Sequence, residues 1–147
     1  MSKLKAKKWT LLYTEISKLG EGGNADVYLV EDSRSGKRYA LKELRSSNRS
    51  EEKKSRFVSE IQIARDNCTI IPGIIPVIDY SMEDYWYTMP IAQQIMGCVN
   101  GMSLDEIING VLQLCETLGR LHEKGIHHRD IKPVSYTHLR AHETDQY

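Results

Sequence analysis

The segment His127-His128-Arg129-Asp130-Ile131-Lys132-Pro133 gathers two imidazoles, a guanidinium, a carboxylate and an ammonium group into one short stretch. Core packing gives no reason for such a gathering. A carboxylate set between cations stays ionised, so Asp130 can orient a hydroxyl and accept its proton. Lys132, two residues on, can neutralise phosphate charge. The doubled histidine also suggests metal, although adjacent residues are poorly placed to converge on one ion.

Three further features could serve the same chemistry. Gly20-Glu21-Gly22-Gly23 is a glycine cluster, and glycines let backbone amides approach phosphate oxygens closely. An ordinary hairpin turn would use the same residues. The strand-like Val27-Tyr28-Leu29-Val30 that follows excludes a dinucleotide-binding loop, which opens a helix. A Walker loop fails as well, because Gly36-Lys37 precedes Arg38 and position 31 is Glu. Alternation along a strand puts Ala40 and Lys42 on one face, a small side chain beside a lysine. That pairing suits a flat ring with a phosphate tail, and a plain surface lysine would also explain it. Glu60 falls within the apolar arc of Phe57, Ile61 and Ala64, where an unpaired carboxylate is costly. Lys42 is its natural partner; a rim glutamate reaching water is the alternative.

The elements that must position these groups are legible. Residues 10–45 read as three antiparallel strands joined by short turns: Leu11–Leu19, a strand over Val27–Val30, and Arg38–Lys42. Glu51–Asn67 reads as a helix with acidic residues in its first turn. A segment punctuated by Pro and Gly follows, then strands over Val77–Tyr80 and Tyr85–Met89. Ser103 and Glu106 form a capping box. The helix they open carries Ile107, Val111, Leu114, Leu118 and Leu121 in one stripe and ends near Gly125. Strands first and helices afterwards predict an α+β fold.

In this order the motifs resemble a protein kinase of the serine/threonine class. Gly20 to Val27 looks like the glycine-rich loop, Tyr39-Ala40-Leu41-Lys42 like the Val-Ala-Ile-Lys strand, and His128-Arg129-Asp130 like the catalytic loop. The resemblance covers residues 10–133, with Ala25 where the third glycine of the loop usually stands. It implies an antiparallel small lobe with one packed helix, followed by the first helices of a larger lobe. By that resemblance Lys42 holds the α- and β-phosphates of ATP and pairs with Glu60, while Asp130 engages the substrate hydroxyl, with Lys132 beside it. Leu19, Gly20, Glu21, Gly22, Gly23, Asn24, Ala25, Asp26, Val27 and Ala40 would enclose the nucleotide. Met89, Pro90 and Ala92 would form the hinge against adenine, with Met89 as gatekeeper. The implied cofactors are ATP and Mg, and the implied partner is a protein substrate. A docking module of the pseudokinase kind is the alternative, and intact Lys42, Glu60 and Asp130 argue against it. A non-functional gene-model product with no stable fold is a third reading.

The pattern also departs from the family. Ser135 stands where an Asn binds metal, and the single Phe, Phe57, excludes an Asp-Phe-Gly motif downstream. With both ligands missing, residues 1–147 are expected to transfer no phosphate, and no residue is assigned to metal. Residues 134–147 resemble read-through into an adapter or linker. The expected organisation is a basic, flexible stretch 1–9, the small lobe and hinge 10–91, the start of the larger lobe 92–133, and a non-kinase tail 134–147. Such a cut would leave the stripe of the 104–123 helix uncovered.

Composition narrows the rest. The 147 residues carry 20 basic and 20 acidic side chains, 40% apolar residues, and 10 Gly with 4 Pro, which excludes collagen-like and disordered classes. Net charge of zero gives no bias toward nucleic acid or a membrane. No apolar run approaches a membrane span, since Ile70–Ile78 is broken by Pro72, Gly73 and Pro76. Three scattered cysteines without a Cys-x-x-Cys pair predict reduced thiols and a cytoplasmic location.

Overall fold

The computed structural model describes residues 8–94, 101–127 and 137–138. Strand-forming side chains and short turns dictate its first half. β1 (Tyr13–Glu21), β2 (Ala25–Asp32) and β3 (Arg38–Leu44) run antiparallel as successive neighbours. The β2–β3 turn closes through Asp32, whose amide donates to the Lys37 carbonyl and whose carbonyl accepts from Gly36, both at 2.8 Å. Gly36 has φ +69° there, a conformation that favours glycine.

After α1 (Glu51–Asn67), the chain returns as β4 (Asp79–Ser81) and β5 (Trp86–Met89). The sheet order is β1-β2-β3-β5-β4, so β5 lies directly beside β3. Both late strands start after the residues predicted. Tyr85 takes φ +61°, which no strand accommodates. The stretch after Pro76 joins the sheet first through the Ile78 amide, which donates to the Thr88 carbonyl at 2.9 Å.

Directly opposed residues of antiparallel strands share a face. The registers therefore align Val27, Lys42, Tyr87 and Tyr80 in one row across four strands, with Leu29, Ala40 and Met89 in the next. This face packs on α1: Ala25, Leu44, Phe57, Ile61 and Tyr87 form one core, flanked by Val77, Tyr80 and Met89. The opposite face buries Tyr28, Val30, Leu41 and Trp86 with Tyr13 and Trp9.

Trp9 corrects the expectation of a flexible stretch through residue 9. It sits in a short 3-10 helix, Lys8–Leu11, and is completely buried. Its indole donates to Glu43 Oε2 at 3.1 Å, and Lys8 pairs with Asp84 at 2.8 Å. A large aromatic ring offered to an open sheet face gains more by burial than the ordering of one turn costs.

A second compact unit comprises Cys68–Ile74 and the described residues from Ala92 onward. Its main element is α2 (Leu104–Glu123). Ser103 Oγ accepts the Glu106 amide while Glu106 accepts the Ser103 amide at 2.7 Å, so the capping box forms as read. Gly125, at φ +73°, turns the chain at the other end. The stripe is more covered than expected. Leu121 is buried and Ile107, Leu114 and Leu118 half-buried, with Val111 exposed. The Pro/Gly segment meets this helix: Thr117 Oγ1 donates to the Pro72 carbonyl at 2.7 Å, and within that segment Ile71 is fully buried. Gly73 is required at this approach, because a Cβ there would lie 2.6 Å from Thr117 Oγ1. A short ladder between β6 (Gln93–Gln94) and β7 (Thr137–His138) belongs to the same unit.

Candidate active site

The β1–β2 turn sets one wall. The Gly22 amide donates to the Ala25 carbonyl at 2.9 Å, closing a tight loop over Gly22, Gly23 and Asn24. A Cβ placed on Gly20 or Gly23 would meet no protein atom within 4 Å, and neither residue has positive φ. The protein itself therefore gives no reason for glycine at these two positions. Open space above backbone amides is what a phosphate chain requires.

Two carboxylates flank the turn, Glu21 at the end of β1 and Asp26 in β2, where they would repel a phosphate, and both are neutralised. Asp26 receives Arg45 Nη2 at 2.9 Å and Lys18 at 3.1 Å. Glu21 receives Lys18 at 2.9 Å and Arg45 at 3.0 Å. Hydrogen bonding from Arg45 holds the Asp26 carboxyl below its ordinary range against the opposing effect of burial. Lys18 does the same for Glu21.

Lys42 on β3 and Glu60 on α1 meet as an ion pair. Their meeting follows from the row described above: Lys42 points to the face that α1 covers, and Phe57 and Ile61 fix the rotation of the helix. Lys42 Nζ also lies 5.9 Å from the centre of the Phe57 ring and 5.8 Å from that of Tyr87, a partly aromatic setting that suits a cation. The Tyr87 hydroxyl donates to Glu60 Oε1 at 2.6 Å.

These groups bound a cavity of about 300 Å³ lined by the glycine turn, Ala25, Val27, Lys42, Leu44, Phe57 and Glu60, with Lys53 and Arg56 of α1 at its rim. Of the residues expected around a nucleotide, Gly22, Gly23, Asn24, Ala25, Val27 and Lys42 converge here with Glu60. Gly20 and Glu21 end β1, and Asp26 lies within β2. Leu19 is half-exposed at a β1 irregularity between Lys18 and Gly20. Ala40 is buried in the row next to Lys42, opposite Met89. Pro90 follows β5, whereas Ala92 belongs to the second unit. His128, Arg129, Asp130 and Lys132, with Ser135, lie outside the described residues. His127 is described, its ring 4.9 Å from that of His122 at the end of α2.

Sequence reading missed Leu44, Lys53 and Arg56 of the cavity lining, and Tyr87, whose hydroxyl reaches Glu60. Tyr87 carried a signal, since strand alternation places it with Met89. The β3–β5 pairing that sets it against Lys42 joins segments too distant in sequence for any local pattern to reveal.

A model of the protein kinase domain matches residues 13–135. The chain belongs to the protein kinase family. The kinase domain is 32% identical over 149 residues to the serine/threonine-protein kinase PknD of Chlamydia muridarum, a match covering 82% of this chain and 15% of the relative. PknD of Chlamydia trachomatis serovar D is equally similar, at 32% over 149 residues. That of Chlamydia caviae is 30% identical over 147 residues, with the same coverage. The kinase domain here thus spans about 15% of the length of the curated relatives it matches.

The cradle beside Gly20 and Gly23, the neutralised loop carboxylates and the Lys42 ammonium fit a nucleotide triphosphate. Among the described residues no three His, Cys, Asp or Glu side chains converge on a metal-sized site. Among the described residues no helix is long and apolar enough to cross a membrane.

Proposed function

We propose that this chain contributes the ATP-binding part of a serine/threonine protein kinase acting on a protein hydroxyl. The observation that carries the reading is the Lys42–Glu60 ion pair facing an open glycine cradle. Lys42 would contact the α- and β-phosphates while Glu60 keeps its ammonium group turned toward them. The backbone of Gly20 to Ala25 would cover the phosphates, and Val27 and Ala40 would bracket the adenine with Met89 behind it and Pro90 and Ala92 at the hinge. Magnesium would supply charge neutralisation between the phosphates, as in the family. Asp130 would orient the substrate hydroxyl and take its proton. The hydroxyl oxygen forms the new bond to the γ-phosphorus as the bond to the β–γ bridging oxygen breaks, releasing ADP. Lys132 would balance charge on the transferred group.

Residues 1–147 by themselves are proposed to bind nucleotide without transferring phosphate. Support comes from Ser135 at the expected Asn position and the lack of an Asp-Phe-Gly sequence in these residues. The proposed compartment is the cytoplasm, in keeping with three scattered cysteines that form no Cys-x-x-Cys pair.

Calorimetric titration of residues 1–147 with Mg-ATP tests the reading. Saturable binding that Lys42→Ala weakens at least about tenfold is expected, given the loss of a charged phosphate contact. No binding by the unmodified chain, or equal binding by Lys42→Ala, would overturn it.

A further inference from the structure

Glu60 has a choice of cations. Arg56 lies one turn earlier on α1, the spacing at which side chains on a helix meet, and both line the same cavity. A glutamate on a two-carbon stem, with a side chain 42% exposed, could turn to Arg56 or to water. Lys42 cannot by itself prevent this, because its own long stem is costly to immobilise. Yet Arg56 is engaged by Glu52, and Glu60 faces Lys42.

A third group holds the arrangement. Tyr87 is only 7% exposed. Its ring is fixed by strand β5 beneath it and by the Phe57 ring, 5.7 Å away and tilted by 50°. Its hydroxyl reaches the same Oε1 that accepts from Lys42. A ring has two side-chain torsions, both locked here by packing, so the donor position is set before any ligand arrives. Burial first, and the Glu60 charge second, push the Tyr87 phenol well above its ordinary pKa, so it stays a neutral donor.

We infer that Tyr87 is a positioning residue: its hydroxyl fixes the Glu60 carboxylate, and through it the Lys42 ammonium group, in the orientation that receives nucleotide phosphates. The role rests on the nucleotide-site reading proposed above. It also predicts that α1 is tied to the sheet in the absence of ligand.

Tyr87→Phe keeps the ring and its packing and deletes only the donor. For residues 1–147 titrated with Mg-ATP, Tyr87→Phe should weaken binding about three- to tenfold, the loss of one hydrogen bond to a charged group. In a Glu60→Ala background the same change should have no further effect, because the group it acts through is gone. Amide hydrogen exchange of α1 without nucleotide should speed up in Tyr87→Phe. An equal loss of affinity in both backgrounds would mean that the hydroxyl does not act through Glu60, and would overturn the inference. So would Tyr87→Phe that binds ATP and exchanges like the unmodified chain. Should the unmodified chain fail to bind Mg-ATP, the nucleotide reading fails. The tie between Tyr87 and α1 is then judged by exchange alone: faster exchange in Tyr87→Phe sustains it, and unchanged exchange removes it.

Discussion

Arg45 Nη2 donates a 2.8 Å hydrogen bond to the Gly22 carbonyl, so the residue just past β3 holds the glycine turn from below. The same guanidinium pairs with Asp26 and Glu21. Arg45→Ala would release the turn and leave both carboxylates less neutralised where phosphates are proposed to sit. Mg-ATP affinity is expected to fall roughly three- to tenfold, more at low salt than at high salt, since partly exposed charges are screened. Calorimetry at two ionic strengths checks this. Affinity independent of both the substitution and salt would contradict it.

Gly23→Ala separates binding from stability. The added methyl meets no protein atom within 4 Å and the backbone is not left-handed. Unfolding free energy should therefore stay within about 0.5 kcal/mol of the unmodified chain. ATP affinity should drop at least several-fold, because the methyl enters the space above the loop amides. A large stability loss with unchanged affinity would show that this glycine serves the fold instead.

Trp9→Ala probes the 3-10 helix that the basic N-terminal sequence concealed. Removing a completely buried indole and its bond to Glu43 should cost about 3–5 kcal/mol, seen as a lower urea midpoint. A shift no greater than that of a surface substitution would mean the helix contributes little to the sheet core.

Asp32 should make acid stability readable. Its carboxylate accepts from the Arg34 amide at 2.9 Å, Arg34 Nε at 3.0 Å and Ser35 Oγ at 3.0 Å. Chiefly through Arg34, these hold its pKa down at about 2 from an ordinary 3.8. A depressed carboxyl stabilises the fold above its unfolded pKa, and that contribution is lost as pH falls through the folded one. The stability difference between the unmodified chain and Asp32→Asn should thus be full near neutral pH and shrink between about pH 4 and 2. A difference constant over that range would refute it.

Local patterns revealed much of this molecule. The span of α1, Glu51–Asn67, and the Ser103–Glu106 capping box were legible because caps and helical periodicity act within a few residues. The three-strand meander was legible for the same reason, its turns being short. Val77–Tyr80 and Tyr85–Met89 were located but not bounded. The left-handed Tyr85 closes a β4–β5 turn held by the Arg49, Ser81 and Asp84 contacts, which no strand propensity encodes.

The sequence by itself determined the chemistry available: a glycine turn, Lys42, Glu60 and the Asp130 segment, in an order that identifies the family. It also determined which faces of each element are apolar, since alternation and helical spacing are written in the chain. Tertiary structure decided what those groups meet. Only the pairing of β5 with β3 sets Tyr87 opposite Lys42, and only the packing of Phe57 and Ile61 turns Glu60 toward both. Trp9 was likewise assigned by the open sheet face rather than by its lysine-rich neighbours. Contacts between residues remote in sequence depend on buried area and strand register, and these exist only once the sheet has formed.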